Sequence, residues 1–303
     1  MATAQRYEDI KKSLLSELKK NGGSLSAATA KLGIDWRSAR RWRDKLIEEG
    51  LLQGAQPKPA KASPKGSKKP AKAKSRPVKV HDNSRILFIS DMHIPYHHKN
   101  TIAFLTALKK KYKPTRVICL GDEVDKHALS FHAHDPDLMS AGDELTAARP
   151  VIAQIHKLFP EMDLISSNHG SLVYRKAKEH GIPRSYIRSY NDVLGVGPGW
   201  VWHDELIIDL PDGQKVYIHH GKSAEAIKTS QAMSMSHVCG HYHNSFAIKY
   251  WANPTGLFFA VNGGCLIDDK SLAFAYNNAN LHRPIIGTPL IIDGKPILEE
   301  MPL

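Results

Sequence analysis

Five short blocks in this 303-residue chain set acids, histidines and an asparagine at the ends of apolar runs: Asp91-Met92-His93, Gly121-Asp122-Glu123-Val124-Asp125, Asn168-His169, His219-His220-Gly221 and Gly240-His241-Tyr242-His243. An oxygen-rich set with a few imidazoles suits manganese, iron or zinc better than a purely soft site would. In this order and at these separations the blocks point to two hard divalent ions holding a water that attacks phosphorus. Such paired ions can clamp the attacking and leaving oxygens of an in-line displacement. No one block carries that reading alone, because an isolated Asp-x-His or His-x-His is usually incidental.

The elements that must position these groups are legible in what precedes them. Arg85-Ile86-Leu87-Phe88-Ile89-Ser90 and Arg116-Val117-Ile118-Cys119-Leu120 are short apolar, largely β-branched runs, and Asp163-Leu164-Ile165 is a weaker third. Such runs read as buried strands of a parallel sheet. Thr101 to Lys111 and Asp143 to Leu158 carry apolar residues at helical spacing and fill the two gaps, giving β-α-β-α-β. Ligands of open α/β sheets sit at the carboxyl ends of the strands, which is where Asp91, Asp122 and Asn168 fall. In an extended Asp91-Met92-His93 both ligands point to the same side. Gly121 allows backbone and metal to approach closely at Asp122.

With these motifs the chain resembles the calcineurin-like metallophosphoesterases. That family's pattern is Asp-x-His, Gly-Asp-x-x-Asp, Gly-Asn-His-Asp/Glu, a His before Gly, and Gly-His-x-His, and the stretch from residue 85 to 245 follows it. The resemblance implies an α/β fold, a two-sheet sandwich flanked by helices. It implies one metal held by Asp91, His93, Asp122 and His243 and another held by Asp122, Asn168, His220 and His241, with Asp122 bridging. Manganese is expected, with iron, zinc or nickel as alternatives, and a metal-bridged hydroxide is the implied nucleophile. His169 takes the family's role of general acid or charge stabiliser at the leaving oxygen. His220 is preferred to His219 because the family's ligand directly precedes a glycine.

One departure bears on rate. Where the family usually reads Gly-Asn-His followed by an acid, this chain reads Ser167-Asn168-His169-Gly170. The absent carboxylate normally helps to orient the histidine, so His169 is either held by another group or less effective. Among the remaining histidines, His127, shortly after the second block, is the one candidate substrate contact. Arg175, in the helical-looking stretch Leu172 to Lys178, is a second candidate, for a substrate phosphate.

Charge and chemistry are separated along the chain. Residues 1 to 80 hold 20 Lys and Arg against 7 Asp and Glu, a surplus of 13, while 22 against 23 leave residues 81 to 303 at −1. All 17 histidines lie in the second part. A composition that is 42% hydrophobic supports a buried core, and the length allows more than one domain. No apolar run reaches the roughly 18 residues of a membrane span, and Met1 to Lys20 lacks the apolar stretch of a signal peptide. Cys119, Cys239 and Cys265 are far apart and read as structural thiols of a reducing compartment. The expectation is a cytoplasmic protein of a bacterium or a phage-infected cell, with no membrane partner.

Residues 7 to 50 read as three helices. Ile10, Leu14, Leu15 and Leu18 share one face of Tyr7 to Lys20, Gly33 stops Leu25 to Leu32, and Asp35 is placed to cap Trp36 to Glu49. A short helix, a glycine turn and a longer arginine-rich helix resemble small helix-turn-helix DNA-binding domains. In that resemblance Ile34, Ala39, Trp42 and Leu46 form a small core, and Arg37, Ser38, Arg40, Arg41 and Lys45 are the DNA-binding candidates. From Gly54 to Lys79 there are nine Lys or Arg, five Pro and no acid, a basic Pro/Lys/Ala-rich tether that can track phosphates.

Beyond the third block, Asp204 to Leu210 and Lys215 to His219 flank Pro211-Asp212-Gly213 as a hairpin that delivers His220. Phe246 to Tyr250, Leu257 to Val261 and Pro289 to Ile292 suggest a second, mostly antiparallel sheet, with Asn262-Gly263-Gly264 as a turn. The organisation read from the sequence is a helix-turn-helix domain over 1–52, a linker over 53–80 and a metallophosphoesterase domain over 81–303. The expected function is a dinuclear-metal-dependent phosphodiesterase acting on DNA, a nuclease targeted by its N-terminal domain. A phosphomonoesterase or small-molecule or cyclic-nucleotide phosphodiesterase is the first alternative, and a catalytically weak DNA-binding scaffold the second.

Overall fold

In the computed structural model, which describes residues 2–21, 25–52, 81–131, 135–274 and 282–302, the arginine-rich N-terminal segment folds as three helices: α1 (Ala2–Lys20), α2 (Leu25–Leu32) and α3 (Trp36–Glu48). The chain divides into two compact units, Met1–Arg76 and Pro77–Leu303. The basic stretch 53–80 read as a tether lies outside the described residues. Apolar residues at helical spacing bury Tyr7, Leu14, Leu18, Ala28, Ile34, Ala39, Trp42 and Leu46 together, with Ile10 and Leu15 packed at the margin. Asp35 caps α3, its carboxylate accepting the Ser38 N–H at 3.0 Å. Loss of such a cap costs about 1 kcal/mol. Lys11 and the Tyr7 hydroxyl both reach Glu49, at 2.7 and 3.1 Å, and pin α1 to the end of α3.

The second unit contains β1 (Arg85–Ile89), α4 (Thr101–Tyr112), β2 (Arg116–Cys119), α5 (Ala141–Leu158), β3 (Met162–Ile165), α6 (Leu172–Glu179), α7 (Tyr190–Leu194) and β4 (Trp200–His203). There follow β5 (Leu206–Asp209), β6 (Lys215–Ile218), α8 (Ala226–Met233), β7 (Ser236–Cys239), β8 (Phe246–Asn253), β9 (Gly256–Gly263), β10 (Gly287–Ile292) and β11 (Lys295–Glu300). One sheet has the order β11-β10-β1-β2-β3-β4 and the other β5-β6-β7-β9-β8. From β1 to β4 the pairing is parallel, as the β-α-β-α-β reading requires.

Strand alternation assigns each side chain to one of two cores. Leu87, Ile89, Val117, Cys119 and Leu164 pack with Leu105, Leu108, Ile152 and Ile155 of α4 and α5. Ile86, Phe88, Ile118, Leu120 and Ile165 meet Ile208, Val216, Ile218, Val238 and Val261 of the other sheet. The parallel strands are therefore apolar at successive positions because both of their faces are covered.

Three expectations need correction. The run Pro289 to Ile292 belongs to the first sheet, where β10 pairs antiparallel with β1 and β11. β10 is buried at five of its six positions and closes the side of β1 that β2 leaves open. The second sheet is mixed, because β6, β7 and β9 run parallel while β5 and β8 are antiparallel at its edges. Asn262 and Gly263 continue β9, and the chain turns at Gly264, where φ is +65°. The hairpin of β5 and β6 is as expected. No helix among the described residues is long and apolar enough to cross a membrane.

Candidate metal centre

The first two blocks are brought together by backbone pairing that continues past the strands. Leu120 N–H donates to Ile89 O at 2.7 Å, His93 N–H to Asp122 O at 2.8 Å, and Ile94 N–H to Glu123 O at 3.0 Å. The third block docks when the His169 N–H donates to Asp122 Oδ1 at 3.2 Å. The fifth docks through the His241 N–H, 3.0 Å from both carboxylate oxygens of Asp91. Glycines make these approaches feasible. A Cβ on Gly121 would lie 2.7 Å from Ser167 Cβ and 2.8 Å from His220 Nδ1, and one on Gly240 would lie 2.3 Å from Asp91 Oδ2.

Asp91 and His93 do not converge through an extended segment. Their φ angles are 44° and 46°, and those of Asp122 and His241 are 49° and 72°. All four side chains are thus aimed from left-handed backbone, at a cost of about 1–2 kcal/mol each for a residue with a Cβ. Conformations of this kind persist where surrounding bonds over-determine them, and they cluster at functional sites.

Two donor groups result. Asp91, His93 and His243 offer atoms within 4.8 Å of one another, and so do Asp122, His220 and His241. His93 Nε2 is 3.1 Å from His243 Nε2, and His243 Nε2 is 3.8 Å from Asp91 Oδ1. In the second group His220 Nε2 lies 2.7 Å from Asn168 Oδ1 and 3.2 Å from His241 Nδ1. Asp122 stands between them, its Oδ2 3.1 Å from His220 Nε2 and 3.5 Å from His93 Nε2. The far nitrogens of both central histidines are anchored: His93 Nδ1 on Asp125 Oδ1 at 2.6 Å, His220 Nδ1 on Leu120 O at 2.9 Å. Outer bonds of this type fix the tautomer and aim of metal-ligating histidines. The donor set therefore fits hard divalent cations.

The electrostatics agree. Burial pushes the Asp122 carboxyl up, but His220, His169 and His93 outweigh it and hold the group well below the usual carboxylate range. Burial lifts Asp91 to about 6. Burial opposes charge on His93 and His220, yet neighbouring carboxylates and their hydrogen bonds push both up to about 9. His243 is driven well below its ordinary value by burial and by the charge of His93. A cation held by His93 and His220 would displace their protons, so its affinity would rise with pH.

His169 is held by a group that the sequence reading left open. Its Nδ1 donates to the backbone carbonyl of Asp125, and the Asp125 carboxylate is 3.6 Å away. A third group of donors, His93, Asp122 and His169, lies within 4.8 Å. Burial lowers the His169 pKa below its ordinary value. Lys126 was missed altogether. Its buried ammonium donates to the carbonyls of His169 at 3.1 Å and Gly170 at 3.5 Å, and also to the Tyr190 hydroxyl. Its position next to Asp125 in the second block was the only sequence signal.

His219 turns away from the donors. Its ring is stacked 6.3 Å from that of Tyr217, and its Nδ1 accepts the Gly221 N–H at 3.0 Å. His127 starts a short 3₁₀ turn, its N–H donating to Glu144 at 2.8 Å and its Nε2 accepting the Asp135 N–H at 3.2 Å. Arg175 is an exposed residue of α6 whose guanidinium covers the Phe131 ring at 4.6 Å. On α3, Arg37, Arg40, Arg41 and Lys45 line an open surface with Asp44 and Glu48, and the Lys45 ammonium also lies 4.2 Å from the Tyr7 ring centre. Ser38 is half-buried at the helix start.

Residues 11–62 match the family model of a helix-turn-helix domain. Among solved structures, the chain is similar to an archaeal phosphodiesterase, at 14% identity over 72% of this chain and 99% of that one, TM-score 0.40. It is similar to vacuolar protein sorting 29 from Cryptosporidium parvum, at 15% identity over 73% and 97%, TM-score 0.37. Similarity extends to the Pseudomonas putida nuclease MPE, at 15% identity over 71% and 87%, TM-score 0.32. A search of curated proteins finds no match. The chain joins an N-terminal helix-turn-helix domain to a two-sheet α/β unit that resembles the calcineurin-like metallophosphoesterases in its ligand pattern.

Proposed function

We propose that this chain is a dinuclear-metal-dependent phosphodiesterase acting on DNA, a nuclease directed to its substrate by the N-terminal domain. The observation that carries the reading is Asp122, one carboxylate between two groups of donors, 3.1 Å from His220 Nε2 and 3.5 Å from His93 Nε2. Asp91, His93, Asp122 and His243 would hold one ion, and Asp122, Asn168, His220 and His241 the other, with manganese the expected metal. When bound, such ions supply a nucleophile at neutral pH and neutralise charge on the phosphoryl oxygens. His169, fixed by Asp125 O and by Lys126 on its carbonyl, would assist the leaving oxygen. DNA as the substrate is supported by the helix-turn-helix match and by the surplus of 13 positive charges in residues 1 to 80. In this reading residues 1–52 recognise DNA, 53–80 tether and 81–303 cut. The setting is the reducing cytoplasm of a bacterium or a phage-infected cell, where the buried Cys119, Cys239 and Cys265 stay as thiols.

The direct test is scission of end-labelled single- and double-stranded DNA by the purified chain with manganese, beside Asp122→Asn. Scission lost in the variant is expected. Intact DNA from a wild-type protein that still hydrolyses an aryl phosphate would overturn the nuclease reading in favour of a small substrate.

A further inference from the structure

The surface next to the candidate centre is unlike the rest of its unit. Residues 172 to 190 hold five Lys or Arg against one acid, although residues 81 to 303 as a whole stand at −1. The same stretch leaves large apolar groups in solvent: Tyr186 is 82% exposed and Tyr174 39%, and Phe131 beside them is 41% exposed. Cations lie over two of these rings, Phe131 and Tyr174. The Arg175 and Lys176 charges sit 4.6 and 4.3 Å from the Phe131 centre, and Arg184 sits 5.3 Å from that of Tyr174. Large exposed rings set among cations are candidates for an interaction surface.

We propose that this surface binds an unpaired strand of DNA, with Phe131, Tyr174 and Tyr186 stacking on bases and Arg175, Lys176 and Arg184 contacting phosphates. The proposal rests on the nuclease reading and adds to it where the substrate lies and in what form. Exposed rings interleaved with cations are the elements of a stacking platform. A duplex hides its base faces in its own stack, so the rings find partners only where bases are unpaired, whereas the cations alone would serve either form. The placement also fits. The first turn of α6 is bonded to the metal loop, the Leu172 N–H donating to His169 O at 3.2 Å. Phe131 follows the turn that leaves Asp125 and Lys126. Two of the three segments that build the platform, Phe131 and α6, thus grow out of the blocks that build the centre, and the short turn Arg184–Tyr186 follows α6.

The experiment uses the full chain in chelator, so that binding is read without scission. The probe is a labelled oligothymidine carrying a photoreactive iodouracil, compared with a blunt hairpin duplex. Each of Tyr174→Ala and Tyr186→Ala should weaken single-strand binding about tenfold, and crosslinks should fall on peptides containing Phe131, Tyr174 or Tyr186. Arg184→Ala should lower the salt slope by about 1, and hairpin binding should be the same in the tyrosine variants as in wild type. Tyr186 is exposed enough that its loss leaves folding intact. Unchanged single-strand affinity in both tyrosine variants, crosslinks confined to residues 1 to 80, or equal losses for the hairpin would each overturn the proposal. So would failure to bind oligothymidine while an acidic peptide binds, which would assign the surface to a protein. Adding manganese separates the two readings. An oligonucleotide crosslinked here but never cut sinks the nuclease and spares the platform, while scission indifferent to the tyrosines sinks only the platform.

Discussion

At the scale of single residues, the departure at Gly170 turns out to have a structural answer. The carboxylate that the resemblance calls for at that position is absent, and Asp125 O and Lys126 position His169 from the other side. If His169 protonates the leaving oxygen, its removal matters in proportion to how much the leaving group needs a proton. His169→Ala should therefore slow DNA scission by about 100-fold or more and slow an aryl diester, whose leaving group departs as an anion, much less. Because burial holds its pKa below the ordinary histidine value, the protonated fraction falls as pH rises through that lowered pKa, and the wild-type advantage on DNA should narrow with it. A pH profile of both enzymes on both substrates reads this, and equal losses on the two would remove His169 from the acid role. The residues of the donor groups were legible because Asp-x-His, Gly-Asp and His-x-His are local patterns at strand ends. Lys126 was not, because its meaning lies in carbonyls 43 and 44 residues away.

At the scale of elements, the sheet is stitched by a buried charge cluster. Asp163 on β3 accepts from Arg116 of β2 at 2.9 Å and pairs with His203 of β4 at 2.8 Å, with little of it exposed. Burial raises its pKa, but His203 and Arg116 outweigh that and leave the carboxyl lower than usual. A carboxyl depressed in the folded state contributes stability above its unfolded value near 3.8, and loses it as pH falls through the folded value. Asp163→Asn should cost about 3 kcal/mol at pH 7, since it leaves Arg116 without its charged partner. The gap to wild type should close in acid, and denaturant unfolding at pH 7 and pH 3 checks both halves. A gap that is unchanged at pH 3 would count against the ion pair as its source. β2 and β3 were read from apolar runs, while β4 was missed. Trp200-Val201-Trp202-His203 is too short and too mixed to announce a strand before β3 is known to lie beside it. The placement of β10 failed for a related reason, since no periodicity says which sheet a buried strand joins.

At the scale of the whole molecule, charge sits at one end of the chain and the donor groups at the other. If residues 1 to 80 capture DNA through phosphates, affinity for a duplex should fall linearly on a log–log plot against salt. Arg41→Ala, which removes one exposed charge from α3, should reduce that slope by about 0.9. A slope indifferent to Arg41 would take that face away from the DNA. Of the helix-turn-helix unit the sequence showed the three helices, the cap at Asp35 and the core at Ile34, Ala39, Trp42 and Leu46, because these rest on contacts close in sequence, while the start of α1 at Ala2 was placed five residues late.

Everything proposed for catalysis depends on two ions sharing Asp122. Electron paramagnetic resonance of the full chain titrated with manganese measures this directly. The account predicts two equivalents per chain with the signal of a magnetically coupled pair, and loss of the coupling in Asp122→Asn. A single equivalent, or two ions that give isolated signals in the wild type, would contradict it.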